Sequence, residues 1–289
     1  MESDGLQIYE KPELSQPRLL LGFTGWMDGG EVSSGTVRWM VDTMEAKYFG
    51  SIESENYYVY NLPGMMEVAT LSRPHTRINQ GLIEAFDFPS NSFFYSEANN
   101  LILFLGKEPN INWESYADCL FSLCEQFHVK MMYFIGSVSS LVPHTREPRL
   151  FCTASSKLIR DEFQHFGVKF TNYEGPASIS TYLLSCCSQL DVDMVNLVAT
   201  VPAYVQGNNP KCIEAVTRRL AGMLDLSIDF NQLNLVSEEF EKKLIELLHE
   251  QPELANNITQ LEEDYDNDIF NNEMSEIKKW LEQQGIRLD

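Results

Sequence analysis

Clusters of lysine and arginine are missing from this sequence. The 289 residues hold 21 basic against 42 acidic side chains, a formal net charge of −21. A chain that neutralises phosphates needs grouped cations, so nucleic acid and anionic membrane surfaces are excluded as general partners. Long apolar runs are also missing: none approaches the ~18 residues that cross a bilayer. The segment from Met1 to Glu10 is acidic where a signal peptide is basic, so the expectation is a cytoplasmic protein. Cys119, Cys124, Cys152, Cys186, Cys187 and Cys212 form no C-x-x-C pair and have no neighbouring His. They read as reduced thiols behaving as small apolar groups. The sequon at Asn257 carries no meaning in a protein outside the secretory route.

What is present is an uneven distribution of charge. Residues 231–289 hold 15 acidic and 5 basic side chains, with one Pro (Pro252) and one Gly (Gly285). That composition reads as helix. Ser237 is expected to cap a helix whose first turn holds Glu238 and Glu239, with Phe240, Leu244, Leu247 and Leu248 as its apolar stripe. A second helix is expected near Pro252 and a third over Met274–Gln284, with Met274, Ile277 and Leu281 on one face. The chain thus divides into an α/β domain over residues 1–230 and an acidic helical extension over 231–289.

Within the first part, apolar runs of strand length recur at Leu19–Phe23, Tyr57–Leu62, Ser92–Tyr95, Leu101–Leu105, Met131–Ile135 and Met194–Val201. Several are apolar on both faces, as strands covered by helices on each side must be. Helical spacing follows between them. Trp113, Tyr116, Leu120, Leu123 and Phe127 come after Asn112 as a cap; Ile179, Tyr182, Leu183 and Cys186 come after Gly175 and Pro176. Ile213, Val216, Leu220 and Leu224 come after Asn209 and Pro210, with Pro where its missing N–H is harmless. The alternation predicts a three-layer α/β/α domain around a largely parallel sheet.

Ligands of such sheets sit where strands end, which singles out three loops: 24–31, 136–146 and 202–210. The first is rich in glycine, yet Gly22, Gly25, Gly29 and Gly30 match neither G-x-G-x-x-G nor a P-loop, and Asp28 and Glu31 repel phosphate; the expectation is a structural turn in which Asp28 or Glu31 satisfies the start of a helix. The sequence contains no G-x-S-x-G elbow and no H-E-x-x-H zinc pair, and no cofactor or metal is called for. Asp264, Asp266 and Asp268 open like a calcium loop, but Ile269 and Ser275 stand where Gly and Glu are required. Pro143-His144-Thr145-Arg146 is the strongest chemical candidate, pairing an imidazole near neutrality with a guanidinium. Its structural alternative is a histidine bonded to backbone.

The ordered loops resemble the proteasome assembly chaperone 2 family. The match runs through Gly25-Trp26-Met27-Asp28-Gly29-Gly30-Glu31-Val32-Ser33-Ser34-Gly35, Arg73-Pro74, Gly106-Lys107-Glu108-Pro109 with Trp113, and Val142-Pro143-His144-Thr145-Arg146. It continues through Gly175-Pro176, Pro202-Ala203-Tyr204 and Asn209-Pro210, covering roughly residues 15–225. The resemblance implies an α/β/α fold similar to nucleoside phosphorylases and peptidyl hydrolases. It also implies self-association, commonly as a homotrimer, and an acidic carboxyl-terminal extension. Eukaryotic members are non-catalytic chaperones that hold proteasome α subunits; some prokaryotic ones carry an ATP-grasp-like label. The ending Ile286-Arg287-Leu288-Asp289 lacks the hydrophobic-Tyr-X signature by which related chaperones insert into the proteasome ring.

Two functional readings follow. In the first, a homo-oligomeric, non-catalytic chaperone binds protein clients, and Trp26, Trp113 and Tyr204 are buried anchors. In the second, an enzyme acts on a small anionic or nucleoside-like substrate. Asp28 or Glu31 would then be acid or base, His144 the proton shuttle, and Arg73 or Arg146 the anion binder. The second demands that these side chains converge on one concavity.

Overall fold

The computed structural model describes residues 5–61, 72–249 and 251–283, with side chains through residue 269. Nine strands form one sheet: β1 (Leu6–Ile8), β2 (Arg18–Thr24), β3 (Lys47–Ile52), β6 (Ser92–Ser96), β7 (Leu101–Lys107), β8 (Met131–Ser140), β9 (Leu150–Ala154), β10 (Lys169–Phe170) and β11 (Asp193–Pro202). Their order is β1-β3-β6-β7-β2-β8-β11-β9-β10, and a separate two-stranded ribbon joins β4 (His75–Asn79) to β5 (Leu82–Asp87). The sheet is mixed and not largely parallel: β7, β2, β8 and β11 run parallel, while β6, β3 and β1 on one flank and β9 on the other pair antiparallel. Tyr57–Asn61 is irregular instead of a strand, because the backbone oxygen of Tyr57 accepts from Asn110 and Ile111 and its hydroxyl turns to Ser115; Leu62 lies outside the described residues.

Alternation along β2 explains the layers. Leu19, Leu21 and Phe23 point to one face, where α2 (Trp113–Phe127) and α4 (Ile179–Cys187) bring Tyr116, Leu120, Leu123 and Leu183. Leu20 points to the other, against Val37 and Met40 of α1 (Val32–Thr43) and Val216 and Leu220 of α5 (Pro210–Met223), with α3 (Lys157–Phe163) adding Ile159 and Phe163. The three-layer α/β/α sandwich is therefore built from strands apolar on both faces. All six cysteines are unpaired, and five are buried.

Asn209 and Pro210 start α5 as their order demands, Asn209 accepting from the Cys212 N–H at 3.1 Å. Another cap differs from expectation. Asn112 sits in the left-handed region (φ 56°) and donates its side-chain amide to the Asn56 oxygen at 2.6 Å, so it is spent on a neighbouring loop. Ser178 caps α4, accepting from the Thr181 N–H. Residues 231–283 form two helices and not three: α6 (Asn231–His249) and α7 (Pro252–Gln283). Ser237 is buried inside α6, on the stripe of Leu233, Phe240, Leu244 and Leu248, while Leu247 faces solvent. The helix starts earlier because Asp229 accepts from the Asn231 N–H and Phe230 stacks on Trp39 with ring centres 5.4 Å apart. Met274, Ile277 and Leu281 lie beyond the described side chains. Among the described residues no helix is long and apolar enough to cross a membrane.

One splice opens the strand ends. β2 and β8 pair from Leu19–Met132 to Gly22–Ile135 and then part. The Ser33 hydroxyl enters the gap, accepting from the Phe23 N–H at 3.0 Å and donating to the Ile135 oxygen. Gly22 permits this approach, since a Cβ there would lie 2.8 Å from the Ser33 backbone oxygen. Ser33→Ala leaves two buried backbone groups without a partner and should destabilise the fold by about 1 to 3 kcal/mol. A lowered urea midpoint at unchanged slope is the expected readout, and an unchanged midpoint would refute it.

Candidate functional site

The loops leaving β2, β7, β8 and β11 hold one another. The Glu108 carboxylate accepts from the Trp26 N–H at 2.9 Å and from the Ile179 N–H at 3.1 Å. It thereby ties the loop after β2 to the first turn of α4, where a negative charge suits the helix dipole. Ser137 of β8 donates its N–H to the Met27 oxygen at 2.8 Å and its hydroxyl to the Gly29 oxygen at 2.7 Å. Gly30, at φ 63°, presses against Val201, and its oxygen accepts from the Asn209 N–H at 2.8 Å.

Each predicted catalytic side chain has a separate structural task. Asp28 accepts from the Ser34 N–H at 3.0 Å and from the Ser34 hydroxyl at 2.7 Å, at the entrance to α1. Burial raises its carboxyl from 3.8 to about 6; the Ser34 bonds oppose this, and the Glu31 charge adds to it. Glu31 is exposed, in the left-handed region, and its carboxylate accepts from the Asn208 amide at 3.5 Å. The Tyr204 hydroxyl accepts from the His144 backbone N–H at 2.7 Å and meets its Nδ1 at 2.8 Å. Burial lowers the imidazole below its ordinary value, with Lys211 adding to the effect, and pushes the Tyr204 phenol up to about 12. The cavity beside His144, Pro143, Pro202 and Pro210's neighbour Asn209 measures about 10 Å³, the space of roughly one water. Arg73 lies apart, exposed, with Asn61 at 3.5 Å.

Arg146 is taken by the acidic extension. It grips Asp266 through two bonds of 2.9 and 2.8 Å, with Glu262 at 3.6 Å. Arg149 pairs with Asp268 at 3.0 Å and lies 4.2 Å over the ring of Tyr265, whose hydroxyl donates to the Glu147 oxygen at 2.7 Å. The aspartates that imitate a calcium loop thus lie on α7, two of them facing arginines. Among the described residues, no side-chain hydrogen bond or ion pair joins any two of Asp28, Glu31, Arg73, His144 and Arg146; Asp28 and Glu31 meet only through the backbone, the Glu31 N–H donating to the Asp28 oxygen at 3.0 Å.

The aromatic anchors divide. Tyr204 is half-buried on His144, and Trp113 is half-buried against Tyr182, its indole N–H donating to the Pro109 oxygen at 2.8 Å. Trp26 is not buried: it is 69% exposed, because its loop is held through backbone groups while the side chain turns outward. Gly175 lets the chain pass under the Tyr173 hydroxyl, which a Cβ would meet at 2.4 Å. Sequence reasoning gave Ser33 and Ser34, which end the family-like run from Gly25 to Gly35, no role and missed Ser137; small hydroxyls beside a glycine-rich loop were the available signal. A cleft of about 530 Å³ lies instead where β8 and β11 begin, lined by Phe121, His128 and Leu190.

The sheet, its helical layers and these interlocked loops define an α/β/α sandwich whose strand ends are braced by hydrogen bonds. The sequence model of the PAC2 family matches residues 22–248, and the chain belongs to that family. A Mycobacterium tuberculosis proteasome-assembly chaperone homologue is similar at 26% identity, over 83% of this chain and 99% of its own, with a TM-score of 0.72. A Mycobacterium tuberculosis protein of unknown function shares the fold at 20% identity and TM-score 0.84, over 96% of this chain and 94% of its own. The Pyrococcus furiosus archaeal proteasome activator does so at 16% identity and TM-score 0.64, over 84% and 97%. No curated protein matches the sequence.

Two outcomes test the local chemistry. With its carboxyl raised to about 6, folded Asp28 keeps a proton that the unfolded chain, at 3.8, has already released, so its contribution to stability falls as pH rises through that window. Asp28→Asn should therefore gain about 2 to 3 kcal/mol on the wild type between about pH 4 and pH 7. A difference in urea stability that does not move with pH refutes the assignment. Tyr265→Ala should remove about 2 kcal/mol or more of local stability and release α7. Limited proteolysis should then cut α7 on the order of tenfold faster, and equal rates would show that the ring does not hold the helix.

Proposed function

We propose that this is a non-catalytic, assembly-chaperone-like protein of the cytoplasm that self-associates, with a trimer favoured, and binds protein clients without a cofactor. The observation that carries the reading is the use of polar groups at the strand ends. Asp28, Glu108, Ser137, His144 and Arg146 are spent on bracing loops and on α7, while the cavity beside His144 has room for about one water. An enzyme acting on a small substrate needs such groups free around a concavity. A surface for proteins needs rigid loops and outward apolar side chains, and Trp26 is such a side chain. Family membership and the likeness to a proteasome-assembly chaperone homologue and an archaeal proteasome activator support the same reading.

Residues 1–230 would then supply the self-associating body and residues 231–289 an acidic clamp over the loop at Arg146 and Arg149. Self-association is tested by light scattering, with an expected mass near three times 33.1 kDa. Client binding is tested by mixing the purified protein with isolated proteasome α-type subunits. Co-elution, and a ring yield that rises in proportion to the added protein, are expected of a chaperone without turnover. Neither co-elution nor a change in yield would overturn the proposal.

A further inference from the structure

The β4–β5 ribbon stands apart from the nine-stranded sheet. Thr76 pairs with Phe86 and Ile78 with Ile83, and the turn is made by Gln80 and Gly81, both at positive φ (48° and 81°), as a two-residue hairpin turn requires. Apart from Ala85 every residue of the two strands is exposed. A two-stranded ribbon alone in water is marginal. Its polar groups are engaged within it: His75 meets Asp87 at 3.3 Å, and Glu84 receives Arg77 at 3.2 Å and the Asn79 amide at 2.7 Å. What remains for solvent is apolar. Ile78, Leu82, Ile83, Phe86 and the adjoining Phe88 are each between 51% and 73% exposed. Leu82 and Phe86 alternate to one face and Ile83, with its partner Ile78, to the other, so both faces of the ribbon are apolar, together on the order of 600 Å² and approaching one partner's share of a stable interface.

The position of this ribbon limits what can cover it. Ser92, which begins β6 just after the ribbon, pairs with Leu105 near the end of β7, so the ribbon leaves from the end of the sheet where β7, β2 and β8 finish. At that same end Trp26 and Leu141, 69% and 80% exposed, stand on the loops after β2 and β8. Copies of a chain with net charge −21 repel one another. A ribbon with one cation, Arg77, against two carboxylates, Glu84 and Asp87, and the apolar side chains of Trp26 and Leu141 offer a contact that limits this repulsion. In a cyclic assembly every copy points the same way along the axis, so arm and receiver at one end allow each copy to engage the next and the ring to close.

We propose that the β4–β5 hairpin is an arm that docks on the Trp26 and Leu141 loops of a second copy of this chain. The inference rests on the self-association proposed above and names the contact. Ile83→Glu with Phe86→Glu disables the arm, and Trp26→Glu with Leu141→Glu disables the receiving loops; all four sites are exposed, and far-UV circular dichroism checks that the fold is kept. By light scattering each double variant should fall to 33.1 kDa, and an equimolar mixture of the two, holding one intact arm and one intact pair of receiving loops, should reach about twice 33.1 kDa. If the wild type is an oligomer and the variants keep its mass, or the mixture stays at the monomer mass, the arm contact is overturned while self-association stands. If the wild type itself is a monomer, both proposals fall.

Discussion

The hydroxyl of Ser33 is the interaction on which the working end of the molecule depends. Parallel strands ordinarily stay paired until they end, and their loops then leave side by side. Here β2 and β8 part after Gly22 and Ile135, and one small side chain from α1 satisfies a donor on the first strand and an acceptor on the second. The gap admits the loop that carries Trp26, Asp28 and Gly29, and Ser137 then holds that loop through two of its carbonyls. A larger residue at position 33 would not fit, and one without a hydroxyl would leave two buried polar backbone groups unmatched.

The same economy runs through the other loops. Glu108 holds the loop after β2 and the start of α4 with a single carboxylate, and Tyr204 holds His144 by both its backbone and its ring. Polar side chains that look catalytic when read along the chain are therefore mutual braces. Bracing makes a rigid rim, and a rigid rim presents Trp26 and Leu141 outward at little entropic cost. That is the physical basis on which a protein-binding role is preferred to turnover of a small molecule.

The acidic extension follows a different logic. Part of its charge is spent internally: Asp266 and Asp268 lie against Arg146 and Arg149, and Tyr265 is buried beneath Arg149. Exposed ion pairs alone contribute little. The seat of α7 depends as much on the buried Ile258 and Tyr265 as on its charges.

By itself the sequence determined the layers. Leu19–Phe23, Leu101–Leu105, Met131–Ile135 and Met194–Val201 are apolar on both faces, and only burial between helices accommodates that pattern; the spacing of apolar residues in α2, α4 and α5 supplies those helices. Asn209-Pro210 was legible as a helix start because the cap is a local interaction between residues three apart. The strands at the two flanks of the sheet, β1 with β3 and β9 with β10, were not legible, being held mainly by their neighbours. Tertiary structure alone decided that Trp26 faces solvent, that Ser137 holds Met27 and Gly29, and that Arg146 meets a carboxylate 120 residues away. Periodicity is a property of the local chain, whereas the partner of a loop side chain is set by which strand ends the sheet order places together.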